Sequence, residues 1–106
     1  SWSDQKICEK KYTKWLDYDR IKYDISVRTR KTGDYLTVNS QGHRKKLTRC
    51  MIDEKIPREQ RDKIPLITEG SQVLWIVGGR MNERYKITSE TKNVLEIKYQ
   101  GGKYHE

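Results

Sequence analysis

The sequence predicts a small α+β domain in which mostly antiparallel strands pack with two short helices. The 106 residues leave room for one domain with a modest core, since a chain of this length buries roughly 60–65% of its unfolded surface. Short apolar or alternating segments predict strands, and prolines bound two stretches of helical character. We expect one folded unit over residues 12–99, preceded by an N-terminal extension, linker or tag (residues 1–11) and followed by a loose tail (residues 100–106).

The first third of this unit contains three predicted strands. A short strand is expected near residues 12–16, followed by an acidic turn. Residues 23–30 alternate apolar side chains with polar ones, which places Arg28 and Arg30 together on the face that we expect to point outward. A Gly-Asp turn signal then precedes a strand over residues 35–39. The last two strands are compatible with a hairpin.

The middle of the chain predicts the two helices. Residues 45–55 have apolar side chains at i, i+3 and i+4, and this helix must end before Pro57, because proline disfavours helical backbone in the preceding residue. Pro57 in turn suits the first position of a second short helix over residues 58–63. Pro65 closes that helix.

The last third predicts the centre of the sheet and its completion. Residues 66–68 and 73–77 flank a Glu-Gly-Ser turn, and the second of these segments is apolar on both faces, as in a buried central strand. Two glycines at positions 78–79 indicate a bulge or a close backbone approach. Strands over residues 84–88 and 94–99 are expected to complete the sheet.

Several classes of protein are disfavoured by composition. Two cysteines at distant positions are too few for a disulfide scaffold, and no apolar stretch approaches the roughly 18–20 residues that span a bilayer. No segment resembles a signal peptide, so we expect a cytoplasmic location. Metal binding would require Cys8, Cys50, His43 and His105 to converge without any chelating spacing, and we therefore expect no metal.

Catalytic signatures are equally sparse. The sequence has no Ser/His/Asp constellation and no glycine-rich nucleotide loop, and its paired acids stand among lysines and arginines, as in surface ion pairs. We therefore expect no catalytic residue. A small-molecule binding module would need a pocket that so short a core is not expected to supply.

The positive charge is concentrated in one segment. The net charge is +8, and residues 28–49 contain a single acid, Asp34, beside seven cations: Arg28, Arg30, Lys31, Arg44, Lys45, Lys46 and Arg49. Charge concentrated in this way makes a directed field suited to a polyanion. A solvated basic face without a partner is the alternative.

The start of the first predicted helix sharpens the polyanion hypothesis. We expect Arg44, Lys45, Lys46 and Arg49 to cluster in or beside its first turn, where the helix dipole disfavours cations. Like charges three and four residues apart repel each other there as well. A bound phosphate would reverse both penalties. The spacing therefore predicts that Lys45 and Lys46 contact phosphate.

Several motifs, in a fixed order, resemble the C-terminal domain of the tRNA(Ile)-lysidine synthase family. The resemblance extends from Tyr12 to about Tyr99. Its motifs are Arg28-x-Arg30-x-x-Gly33-Asp34, Lys45-Lys46-Leu47, Ile52-Asp53-x-Lys55-Ile56-Pro57-Arg58-x-x-Arg61-x-x-Ile64-Pro65-Leu66, Leu74-Trp75-Ile76-x-Gly78-x-Arg80 and Tyr85-Lys86.

The resemblance implies a role in tRNA modification. In this family a separate N-terminal domain uses ATP, with magnesium, to attach lysine to the wobble cytidine of an AUA-decoding isoleucine tRNA. That domain's nucleotide loop is absent here, so the resemblance implies no activity and no cofactor for this segment. It implies binding to the tRNA acceptor stem, contact with the parent's catalytic domain and a fold similar to part of the phenylalanyl-tRNA synthetase β subunit. A homodimer is left open.

The resemblance also extends the list of candidate RNA contacts. The family's basic motif positions correspond here to Arg28, Arg30, Lys45, Lys46, Arg61, Arg80 and Lys86. Arg61 has a structural alternative, in which it ties the second helix to the sheet. Arg80 likewise has one, a buried ion pair with Asp34. The alternative for the whole domain is an intramolecular docking module with little tRNA contact.

Overall fold

Seven strands and one α-helix, joined by short 3-10 turns, form the part of the chain that the computed structural model describes, residues 12–100. The predicted extension and all but the first residue of the predicted tail lie outside the described residues. The elements are β1 (Thr13–Asp17), β2 (Ser26–Arg28), β3 (Tyr35–Thr37), β4 (Arg44–Lys46), α1 (Leu47–Asp53), β5 (Leu66–Glu69), β6 (Gln72–Ile76) and β7 (Val94–Lys98).

Five of the strands form one sheet, in the order β2-β5-β6-β3-β4, and β1 pairs with β7 in a separate two-stranded ribbon. Every pairing is antiparallel except that of β3 with β6. The predicted pair of strands at residues 66–68 and 73–77 is confirmed as the β5–β6 hairpin, whose turn residue Gly70 has a φ of 61°. The predicted α+β class is confirmed.

A β-bulge in this hairpin allows the central sheet to fill two cores. The register shifts between Ile67 and Thr68, so that Leu74 becomes an extra residue opposite β5. Because a bulge interrupts the alternation of side chains, Leu74 and Trp75 both pack on the same side of the sheet. Val73 and Ile76 remain on the other side.

The two sides of the sheet are covered differently. Helix α1 covers one side, and this core contains Leu36, Leu47, Cys50, Met51, Leu66, Val73 and Ile76. The ribbon covers the other side, and this core contains Leu16, Ile67, Leu74, Trp75, Val77 and Tyr85. Full burial of each aliphatic side chain stabilises the fold by roughly 1.5–3 kcal/mol. The fold therefore has three layers. Its most apolar strand, β6, lies in the middle of the five-stranded sheet, and this position is the one that the sequence predicts.

The first predicted hairpin is wrong. Strand β2 pairs with β5 at the sheet edge, whereas β3 pairs with β4 and β6. The outward face predicted for residues 23–30 is also wrong, because Val27 is 62% exposed whereas Arg28 turns inward to Asp34. The charged hydrogen bonds from Arg28 to the buried carboxylate of Asp34 stabilise the fold more than burial of Val27 at the sheet edge would.

The predicted helices are shorter than expected. Residues 44–46 form β4 rather than a helical turn, because Lys45 pairs with Leu36 across the sheet. The backbone turns left-handed at Lys55 (φ 60°), just before Pro57. The second predicted helix is reduced to a 3-10 turn, Arg58–Gln60.

The predicted strand over residues 84–88 is wrong as well. A 3-10 turn, Glu83–Tyr85, takes its place. The buried Asn82 side chain accepts a hydrogen bond from the Arg84 backbone N–H and donates one to the Val73 carbonyl, both at 2.8 Å. These bonds favour a turn over an extended strand. The predicted final strand is confirmed as β7, and the predicted first strand as β1.

Candidate nucleic-acid interface

Five cations surround the point where β4 passes into α1. We call this group, Arg44, Lys45, Lys46, Arg49 and Arg80, the basic corner. The first three are on an edge strand, Arg49 is on the helix that follows directly, and Arg80 comes from the loop after β6. The charges of Lys45, Arg49 and Arg80 all act on the same carboxylate, that of Asp53. The fold thus brings Arg80 close to the cations of residues 44–49.

The alternation of β4 divides its three cations between two directions. Lys45 is paired with Leu36 on the helix-covered side, and its ammonium reaches Asp53 Oδ2 at 2.6 Å. Arg44 and Lys46 point to the opposite side and are exposed. The Arg44 guanidinium lies 4.6 Å from the centre of the Tyr35 ring, a cation–π distance that leaves its N–H groups free to donate. The strand therefore presents cations along both sides of its edge.

Two acids, Asp53 and Glu54, lie beside this group of cations. The hydrogen bond from Lys45 lowers the pKa of Asp53, and the neighbouring charges of Arg49 and Arg80 lower it further. Among the five cations of the basic corner, Lys45 forms a salt bridge within the described residues and the other four do not. Five positive charges against the two negative charges of Asp53 and Glu54 leave a local excess that solvent and counterions must screen.

The predicted start of the helix near Lys45 is wrong, whereas the predicted contact of Lys45 and Lys46 with phosphate stays a prediction. Helix α1 has only seven residues and begins at Leu47, so Lys45 and Lys46 precede its first turn on extended backbone. The Leu47 N–H donates to the Asp34 carbonyl at 2.9 Å and is not available to a ligand. The cations nevertheless converge, but through strand geometry.

Arg28 is engaged inside the fold. Its guanidinium donates to both carboxylate oxygens of Asp34, at 2.9 and 2.8 Å, and to the Gly70 carbonyl at 2.9 Å. Burial would raise the pKa of Asp34, but the bonds from Arg28 and from the Lys31 backbone N–H lower it below its ordinary value. The predicted Arg80–Asp34 ion pair is therefore wrong. Arg80 instead donates a long bond, 3.4 Å, to the Val38 carbonyl.

The remaining predicted cations are not part of the basic corner, and most of them are bonded to other groups of the protein. Arg30 forms a 2.7 Å salt bridge with Asp62, and Lys86 forms a 2.8 Å one with Glu83. Arg61 donates to the Ile56 carbonyl at 2.9 Å, as expected of a structural tie, although that bond holds the loop after α1. The Lys31 side chain is exposed.

The sequence reasoning missed a second group of cations. Arg20, Lys22 and Arg84 line a cleft of about 310 Å³ beside the β5–β6 turn. They are far apart in sequence, and no pattern links them. Only the topology brings them together, because β5 places its last residue, Glu69, beneath the loop that precedes β2.

Two of the four candidate metal residues, Cys50 and His43, lie within the described residues. Within residues 12–100 no group of three or more histidine, cysteine or acidic side chains is positioned to hold a metal ion. Cys50 is a buried free thiol, and burial raises its pKa. The His43 ring is 2.8 Å from the Asn39 side-chain amide. Cys8 and His105 lie outside the described residues. In the same part of the chain, no helix is long and apolar enough to cross a bilayer.

Comparisons with known proteins identify the family. The model of the TilS substrate C-terminal domain matches residues 25–98. A tRNA(Ile)-lysidine synthase from Caldanaerobacter subterraneus subsp. tengcongensis is 47% identical over 88 residues, which cover 83% of this chain and 19% of the relative. One from Clostridium tetani is 43% identical over 95 residues, which cover 90% and 20%.

A solved structure agrees with these matches. It is described as a crystal structure of the TilS C-terminal domain, and it matches with a TM-score of 0.64 at 26% identity over 82% of this chain and 68% of that one. The chain spans about a fifth of the length of the curated relatives. By sequence and by fold, this chain belongs to the TilS substrate C-terminal domain family.

Proposed function

We propose that this chain is the non-catalytic, tRNA-binding C-terminal domain of a tRNA(Ile)-lysidine synthase and that its basic corner binds the acceptor stem of tRNA(Ile). The parent enzyme would use ATP and magnesium, in a separate catalytic domain, to attach lysine to the wobble cytidine. The observation that supports this proposal is the convergence of five cations against two acids, Asp53 and Glu54, where β4 meets α1.

The geometry suits a ligand that is long and regularly charged. Lys46 and Arg49 are exposed and form no salt bridge within the described residues, and Arg44 lies beside Lys46 on the strand edge. A-form RNA is gripped through its phosphates and through the 2′-hydroxyls of its wide, shallow minor groove. Exposed cations along the edge of a sheet can contact the phosphates of such a backbone without reading its bases.

One observation favours the alternative, an intramolecular docking domain. Three apolar side chains near the β2 edge are uncovered: Tyr23 is 77% exposed, Ile25 40% and Val27 62%. An exposed edge strand with apolar side chains is suited to contact with another protein surface. Tyr23, however, also borders a cationic cleft, and two aliphatic side chains make a small patch.

Binding of two RNAs across a salt series tests the proposal. We expect the domain to bind an acceptor-stem minihelix more tightly than an anticodon stem-loop, with affinity falling steeply as salt rises. The double variant Lys46→Ala/Arg49→Ala should lower the salt slope by about 1.5, since each phosphate contact contributes roughly 0.7–0.9. Lys45 is left intact because its salt bridge would complicate the result.

A matched variant controls for net charge. Lys92→Ala/Lys98→Ala removes two exposed cations from the ribbon side of the domain, and it should leave the slope within about 0.5 of the wild-type value. Equal affinity for the two RNAs would refute acceptor-stem recognition. An equal loss in both double variants would refute the basic corner as the binding surface.

A further inference from the structure

We propose that a cleft beside the β5–β6 turn is a second binding site, which holds one unpaired RNA nucleotide. The base would stack on Tyr23, and the phosphate would contact Arg20, Lys22 and Arg84. The cleft lies outside the basic corner and contains none of the positions that the sequence motifs single out. The proposal rests on the proposed function only in that the domain must meet RNA.

The cations of the cleft are available to a ligand. Lys22 and Arg84 are exposed and have no salt bridge within the described residues. Arg20 is 53% exposed in its side chain and lies 4.0 Å from Asp17, at the outer limit of an ion pair. The Arg84 guanidinium is 6.0 Å from the centre of the Tyr85 ring, at the outer limit of a cation–π contact, and it also interacts with the Tyr85 hydroxyl.

The carboxylate in the cleft is already satisfied by the protein. Glu69 Oε2 accepts from the Lys22 and Tyr23 backbone N–H groups, at 2.6 and 2.7 Å, and Oε1 accepts from the Tyr85 hydroxyl at 2.5 Å. Burial would raise the pKa of Glu69, but these bonds lower it below its ordinary value. Three cations therefore line the cleft beside one internally bonded anion, Glu69, and a second carboxylate, that of Asp17, lies 4.0 Å from Arg20. The excess charge favours a phosphate.

Tyr23 supplies a stacking surface that the fold holds in place. Tyr23 is 77% exposed, and its backbone N–H is bonded to Glu69. An exposed aromatic ring among cations is the combination that binds unpaired nucleotides, since every base has a face to stack and every nucleotide a phosphate. A paired base is stacked inside its helix and cannot use this surface.

The size of the cleft sets the length of the ligand. Its volume of about 310 Å³ is at the lower end of the range for small-ligand sites, enough for one nucleotide. The Gln72 side chain also lines the cleft and offers both a donor and an acceptor to a base edge. Gly70 lines it too, without a side chain to fill the space. An unpaired end or a bulged nucleotide fits this description.

RNA hairpins that differ only in an unpaired 3′ extension test the proposal. We expect the 106-residue chain to bind a hairpin with a four-nucleotide extension about fivefold or more tightly than a blunt one, in line with the contribution of one base stacked on an aromatic ring. Tyr23→Ala should abolish that preference, and Tyr23→Phe should preserve it. Tyr18→Ala is the matched control, because Tyr18 is also exposed (53%) but does not line the cleft.

The basic corner provides the second control. Lys46→Ala/Arg49→Ala should weaken binding of both hairpins equally and leave their ratio unchanged. Equal affinity of the wild-type chain for the two hairpins would overturn the proposal.

Chemical shifts separate this proposal from the proposed function. A single-stranded tetranucleotide should shift the backbone amide signals of Lys22, Tyr23 and Gln72 in the wild type but not in Arg84→Ala. These shifts would support the cleft even if the minihelix and the anticodon stem-loop bound equally. Unchanged amide signals in this segment, or identical shifts in Arg84→Ala, would overturn it.

Discussion

Replacing Arg28 by alanine should destabilise the fold rather than act on RNA binding directly. The substitution removes two charged hydrogen bonds from Asp34, a residue that is 4% exposed, and leaves that carboxylate with the Lys31 backbone N–H. Breaking a buried ion pair from one side costs about 3–5 kcal/mol. The Arg28 side chain is 18% exposed, so water can enter the gap, and we expect a loss of about 2–4 kcal/mol in the free energy of unfolding.

Urea denaturation followed by tryptophan fluorescence measures this loss, because Trp75 is fully buried in the core. The pH dependence gives an independent check. The pKa of Asp34 is lowered in the fold. Its contribution to the free energy of unfolding is therefore present above about pH 4 and is lost as the pH falls through the pKa of Asp34 in the folded state. As the pH falls, the free energy of unfolding of Arg28→Ala should therefore decrease less steeply than that of the wild type. A loss below about 1 kcal/mol with an unchanged acid profile would refute the reasoning.

Three further predictions concern other parts of the fold. Glu69→Gln should lower stability at neutral pH by about 1–3 kcal/mol and weaken acid sensitivity, because the lowered pKa of Glu69 makes its contribution vanish as the pH falls; an unchanged acid denaturation midpoint would contradict this. Cys50 should react with iodoacetamide far more slowly than an unfolded thiol, since burial raises its pKa; mass spectrometry showing equal rates would contradict it. Gly33→Ala should lower the free energy of unfolding by about 1 kcal/mol. A Cβ at this position would meet no atom within 4 Å, so the cost comes from the φ of 93°, which alanine rarely adopts. An unchanged midpoint of thermal unfolding would contradict this.

The centre of the fold is predictable because its signal is local. The apolar run of β6 and the Glu-Gly-Ser turn before it determine the β5–β6 hairpin without information from elsewhere. The alternation of β7 is equally local. The orientation of Arg28 is different, since it depends on Asp34 lying within reach once β3 has joined the sheet. Periodicity alone favours the opposite face.

The candidate site is predictable as a region but not as a set of contacts. Charge counting finds residues 44–49, and in the fold these residues lie where β4 passes into α1. Which cations are free depends on acids that approach through the tertiary structure, as Asp53 approaches Lys45 and Asp62 approaches Arg30. The cleft cations cannot be found by sequence reading, because Arg20 and Arg84 meet only in the folded chain.

The ribbon of β1 and β7 gives the two ends of the described chain a shared role in folding. Thr13 pairs with Lys98, about 85 positions later, whereas Leu66 pairs with Ile76, about 10 positions later; closing the longer loop costs about 2 kcal/mol more in chain entropy. We expect the ribbon to form after the hairpin and to open before it. Its amide hydrogens should then exchange with solvent faster than those of β6, and Trp75 would be uncovered while the helix-side core stays closed.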